Sequence, residues 1–154
     1  MQTKLNGSLT FGNASDAGQL RGLAQQGYKT VIDLCAAGEN IPITAEAAHA
    51  AGLELQHYPV SVDSLSKATV QGFIAKLSSA QQPVYTRCAS GKRAGLMVLL
   101  ADATLNHWSE QEFFQHVKEC GFDCESAPAL AQFAMSYLHD LSEEGKGHAV
   151  SPTV

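Results

Sequence analysis

At 154 residues the chain is long enough to bury one hydrophobic core without disulfide or metal staples. Its residues are 45% hydrophobic and 16% charged, a globular composition, and no apolar run reaches bilayer length, so no membrane-spanning helix is expected. The formal net charge of −5 speaks against non-specific nucleic-acid binding, although Arg87, Lys92 and Arg93 gather positive charge in one short stretch.

The N-terminus, MQTKLNGSLTFG, carries no signal-type apolar region or cleavage pattern, and we expect a cytoplasmic chain. Ser15 and Asp16 open a helix whose Leu20, Leu23 and Ala24 face inward, with Gly27 as its C-terminal cap. Residues 28–35 read as a buried strand. Thr44 starts an Ala-rich helix that Gly52 ends, and residues 53–60 alternate as a second strand. Ser66 caps a helix with Val70, Phe73, Ile74 and Leu77 on one face, followed by a strand over 84–88. The helix over 93–105 is apolar almost all round, hence buried. Ser109 and Glu112 form a capping box for a helix through Cys120 that Gly121 stops. The last helix, 127–141, is amphipathic through Leu130, Phe133, Ala134, Tyr137, Leu138 and Leu141. From Ser142 onward the chain is polar; we take 1–143 as one domain and 144–154 as a polar tail.

Alternating helices and strands place the chain in the α/β class, with a mostly parallel sheet of about four to five strands covered by helices on both faces. Ligands of such sheets gather at the carboxyl ends of strands. Cys35, the stretch 60–63 and Cys88 all fall there.

The most informative stretch is 83–100, PVYTRCASGKRAGLMVLL, a strand, a small-residue loop and a helix with a thiol at the turn. Cys88, Ala89, Ser90, Gly91, Lys92 and Arg93 would gather unpaired backbone N–H groups at a helix N-terminus, where the dipole favours an anion. A thiol in such a field ionises more readily than an isolated one. The loop is then an anion cradle that carries a nucleophile. The competing reading of Cys88 is core packing, since cysteine is among the most buried residue types. Arg93 competes as a first-turn surface residue, but a cation is not favoured at a helix N-terminus unless it holds an anion. Lys92 and Arg87 read as supporting field, with Arg87 alternatively turned away from the site and paired with an acid.

Elsewhere the signals are structural. His49, His57, His107, His116, His139 and His148 show no paired metal spacing, and no metal or other cofactor is expected. Cys120 and Cys124 lack partner ligands nearby. Gly91-Lys92 lacks the spaced glycine and the hydroxyl residue of a nucleotide P-loop. Trp108, Phe113 and Phe114 read as helix core.

The loop resembles the active-site loop of the cysteine-dependent phosphatases, in which His-Cys is followed by five residues and Arg. Cys88, Gly91 and Arg93 match in kind, but only four residues separate Cys88 from Arg93, Arg87 stands in place of His, and Ala94 replaces the hydroxyl residue after the arginine. It is more closely similar to the bacterial β-lactamase-hydrolase-like phosphatase-like domain, whose loop has this shortened type. The resemblance takes in the strand GYKTVIDL and the stretch YPV at 58–60, and extends over about 9–122. It implies a phosphatase-like fold and hydrolysis of a phosphorylated small molecule or phosphoprotein; charge and hydropathy add the expectation of no nucleic-acid or membrane partner. Cys88 would be nucleophile, Arg93 and the loop 89–92 would bind phosphate, and Asp63 would be general acid. Asp63-Ser64 is equally a natural turn pair. In the lipid-phosphatase branch of the superfamily a cysteine placed like Cys35 pairs reversibly with the catalytic thiol, so Cys35 is a candidate redox partner beside its core-packing reading. Two alternatives stay open. Rhodanese-like sulfurtransferases use an equally short loop, although this chain lacks their other motifs, and a non-catalytic anion-binding module fits the missing His and hydroxyl.

Overall fold

The computed structural model describes residues 2–4, 9–12, 17–35, 44–88, 92–119 and 128–150. In chain order these form β1 (Gln2–Lys4), β2 (Leu9–Gly12), α1 (Ala17–Gln25), β3 (Thr30–Asp33), α2 (Ala45–Ala51), β4 (Glu54–His57), a 3-10 turn (Val62–Ser64), α3 (Lys67–Ser79), β5 (Val84–Arg87), α4 (Lys92–Asn106), α5 (Glu110–Glu119) and α6 (Pro128–Val150). The sheet order is β1-β2-β5-β3-β4. Strands β2, β5, β3 and β4 are parallel, and β1 lies antiparallel on β2.

The α/β architecture is the one expected, but the strands are shorter. Residues 28 and 29 belong to the exit from α1 rather than to β3, because Gly27, with φ 100°, turns the chain back. The Gly27 N–H then bonds the Ala24 carbonyl and the Tyr28 N–H the Leu23 carbonyl. At the other end the ladder outlasts the strands: Leu34 N–H reaches the Arg87 carbonyl at 2.9 Å and Val60 N–H the Leu34 carbonyl at 2.9 Å. The β1–β2 pair was not anticipated, although Asn6-Gly7 between the two strands is a hairpin signal.

Helix termini follow the local rules. Thr44 caps α2 through the Ala47 N–H, and Gly52 ends it in the left-handed region with φ 91°. Ser66 caps α3, and Ser109 with Glu112 closes a reciprocal box at α5, both bonds 3.1 Å. Helix α6 continues past Leu141 to Val150. The expected caps Ser15 and Asp16 and the residues Cys120, Gly121 and Cys124 lie outside the described residues.

Side-chain alternation divides the core between the two faces of the sheet. Val31 and Tyr85 pack with Leu20, Leu23, Ala48 and Leu53 on the α1–α2 side. Ile32, Val84 and Cys88 belong to the larger cluster with Val70, Phe73, Phe113 and Leu138. Helix α4 runs through that cluster, which is why Ala94, Gly95, Leu96, Met97, Val98, Leu99, Leu100, Ala101, Asp102 and Ala103 are all buried. Burying each large apolar side chain contributes roughly 1.5–3 kcal/mol, so α4 is firmly anchored in this core. Phe113 is buried and Trp108 and Phe114 pack on the same core. No described helix is long and apolar enough to cross a membrane.

Candidate active site

Cys88 lies directly after β5, fully buried. Its N–H bonds the Gly12 carbonyl of β2 at 3.2 Å, which ties it to the neighbouring strand. Its Sγ accepts the N–H of Ala94, in the first turn of α4, at 3.4 Å. Ala94 has no hydroxyl to offer, but its backbone supplies the sulfur with a donor at the positive end of a helix. Lys92 opens α4 and is half-buried. The loop residues Ala89, Ser90 and Gly91 lie outside the described residues.

Arg93 does not lie out on the surface as a first-turn arginine. It is half-buried, and its guanidinium donates to the Val60 carbonyl at 2.7 Å. That bond crosses from α4 to the segment after β4, which ends in the 3-10 turn carrying Asp63. Asp63 itself is exposed. The three segments expected at the carboxyl edge of the sheet are therefore linked there through Leu34, Val60 and Arg93.

Arg87 does not join this site. Strand alternation sends Cys88 to the α4 face and Arg87 to the opposite one, where the register sets Arg87 directly against Asp33. Their side chains are each 1% exposed and pair at 3.1 Å. The second reading of Arg87, turned away and paired with an acid, is the observed one. Asp33 Oδ1 also accepts the Cys35 N–H at 3.0 Å, and the Cys35 carbonyl meets His57 Nε2 at 2.7 Å. Cys35 is buried in the same core cluster as Cys88. Sequence reasoning paired no partner with Asp33, because the contact depends on β3 and β5 being neighbours. Among the described residues no group of His, Cys, Asp and Glu could hold a metal ion.

Comparison with known proteins agrees with this architecture. A beta-lactamase hydrolase-like protein of Agrobacterium fabrum is 28% identical over 125 residues, 78% of this chain and 29% of its own length. This chain thus spans less than a third of that relative. The solved structure of a Tk-PTP variant superposes with a TM-score of 0.77 at 14% identity, covering 92% of this chain and 96% of the other. Pseudomonas aeruginosa TpbA, solved in complex with phosphotyrosine, gives a TM-score of 0.70 at 18% identity, covering 84% of this chain and 79% of its own. Both share the fold. The model of one family, "Beta-lactamase hydrolase-like protein, phosphatase-like domain", matches residues 5–105. Because that match runs from the first parallel strand through the thiol loop into α4, the chain belongs to this family of phosphatase-like domains.

Proposed function

We infer that the chain is a cysteine-dependent phosphatase that hydrolyses phosphate monoesters through a thiophosphate on Cys88. The observation that carries the reading is the Ala94 N–H aimed at Cys88 Sγ from the first turn of α4. The same first turn that reaches the sulfur offers its N–H groups to an anion, so a phosphoryl group and the attacking sulfur would share one place. Arg93, from the same turn, brings a planar fork matched to two phosphate oxygens. A guanidinium has five N–H donors, so the bond to Val60 and a bidentate grip on phosphate are compatible in number.

In the first step the Cys88 thiolate forms the S–P bond while the ester P–O bond breaks. The departing oxygen takes a proton from the Asp63 carboxylic acid. In the second step Asp63, now a carboxylate, takes a proton from water as that water attacks phosphorus. The S–P bond breaks, orthophosphate is released, and the Cys88 thiolate and the Asp63 carboxylic acid are regenerated. Backbone N–H groups at the start of α4 and Arg93 stabilise the charge on the phosphoryl oxygens in both steps.

The substrates are phosphorylated small molecules or phosphoproteins. Aryl phosphates are the class to assay first, because TpbA is solved with phosphotyrosine. Parallel assays of aryl phosphate hydrolysis and of thiosulfate-to-cyanide sulfur transfer test the reading, with Cys88→Ser as control. Hydrolysis that disappears in Cys88→Ser, with no sulfur transfer, is the expected outcome. Sulfur transfer without hydrolysis assigns the short loop to persulfide chemistry.

A further inference from the structure

Both ends of the segment that carries Asp63 are fastened to one residue of α3. Tyr58 Oη donates to the Thr69 carbonyl at 2.9 Å, and Thr69 Oγ1 donates to the Ser64 carbonyl at 2.7 Å. Between these anchors the turn is closed on itself: Ser61 N–H bonds Ser64 Oγ and Ser64 N–H bonds the Ser61 carbonyl, each at 3.0 Å. Ser66 Oγ holds Thr69 in turn, accepting its N–H at 3.2 Å and meeting its hydroxyl at 3.0 Å. Gly72 makes the Tyr58 contact possible, since a Cβ there would stand 2.2 Å from Tyr58 Oη and 3.1 Å from its ring carbon Cζ. Burial raises the Tyr58 phenol above its ordinary value, which keeps it a neutral donor. From α4, the Arg93 guanidinium donates to the Val60 carbonyl at 2.7 Å.

We propose that Thr69 is a positioning residue for the general acid: its carbonyl and its hydroxyl hold the two ends of the 58–64 segment, so that Asp63 faces the leaving oxygen while Arg93 holds the phosphate. The proposal rests on the reading of Asp63 as the acid. Thr69 touches no substrate and acts only through the segment. One neutral hydrogen bond is a modest constraint, so its loss leaves the fold intact and lets the segment wander. The cost then falls on the step that needs a well-placed proton, and it grows with the basicity of the leaving group.

The experiment measures kcat/KM for a series of aryl phosphates from activated to poor leaving groups, with wild type, Thr69→Val, Thr69→Ser, Tyr58→Phe, Asp63→Asn and the Asp63→Asn/Thr69→Val pair. Thr69→Val should lower kcat/KM about three- to tenfold for poor leaving groups, the range one neutral hydrogen bond supplies, and leave activated ones nearly unchanged. Tyr58→Phe should give the same pattern more weakly, and Thr69→Ser, which keeps the hydroxyl, should restore wild-type behaviour. In the Asp63→Asn background Thr69→Val should add nothing. A uniform loss in Thr69→Val, a loss that persists without Asp63, or no loss at all overturns the role of Thr69 while leaving Asp63 as acid. An Asp63→Asn variant with no leaving-group dependence overturns the acid assignment, and the role of Thr69 falls with it.

Discussion

Replacing Arg87 by Met is a stringent test of the way the sheet divides its two faces. The Arg87–Asp33 pair is 1% exposed on each side at 3.1 Å, so its gross attraction at an effective dielectric of 20 is about 5 kcal/mol. Desolvating the two ions costs several kcal/mol each, and the pair as a whole is close to break-even. Removing one partner is different, because the other charge stays buried. Among the described residues Asp33 Oδ2 is buried with no hydrogen-bond partner, and Oδ1 would keep the Cys35 N–H. Arg87→Met should therefore destabilise the protein by about 3–5 kcal/mol, which at ~2–4 °C per kcal/mol lowers Tm by roughly 6–20 °C. Adding Asp33→Leu should recover most of that loss, since a buried ion pair is commonly replaceable by apolar side chains. Calorimetry and denaturant titration of the two single variants and the double variant give the coupling. Below its Tm, Arg87→Met should keep its KM for aryl phosphate, because Arg87 lies on the sheet face opposite Cys88, paired with Asp33. A loss under about 1 kcal/mol, as for a surface pair, or a KM raised by roughly a factor of ten or more, equal to 1.4 kcal/mol of binding, would refute the placement of Arg87.

Arg93→Ala should weaken inorganic phosphate binding about ten- to a hundredfold, the value of charge-assisted hydrogen bonds, and Lys92→Ala much less; equal effects in titration calorimetry would mean only a diffuse positive field. The register Asp33 with Arg87 places Cys35 one residue beyond the position opposite Cys88. Mild peroxide should oxidise Cys88 to a sulfenic acid that the Cys35 thiol condenses with, losing water and forming a disulfide that a thiol reductant reverses. Peptide mapping that finds over-oxidised Cys88 beside unmodified Cys35 would return Cys35 to a packing role.

What was legible in the sequence is what depends on neighbours along the chain. Thr44, Gly52, Ser66 and the Ser109–Glu112 box announce their helix ends because capping is satisfied within one turn. The strand and helix on either side of the cysteine stretch, β5 and α4, are legible for the same reason, their signals standing close together along the chain. Contacts that need two strands or a helix and a distant loop were hidden. Asp33 looks like any strand residue until β3 lies beside β5. Arg93 reads as a phosphate ligand, but its bond to Val60 requires β4 to end at the same edge. Thr69 occupies an ordinary first-turn position whose N–H is capped by Ser66, and nothing local says that Tyr58 and Ser64 both come to it. The β1–β2 pair escaped because Gln2–Lys4 and Leu9–Gly12 are too short to show a period.

Thiophosphate chemistry at Cys88 is tested most directly by acid quench during turnover of an aryl phosphate, followed by mass spectrometry of the peptide that spans Cys88. One phosphoryl group on the Cys88 sulfur, absent from Cys88→Ser together with all hydrolysis, is the predicted result. Undiminished hydrolysis by Cys88→Ser, with no phosphoryl group on Cys88 in the wild-type protein, would contradict it.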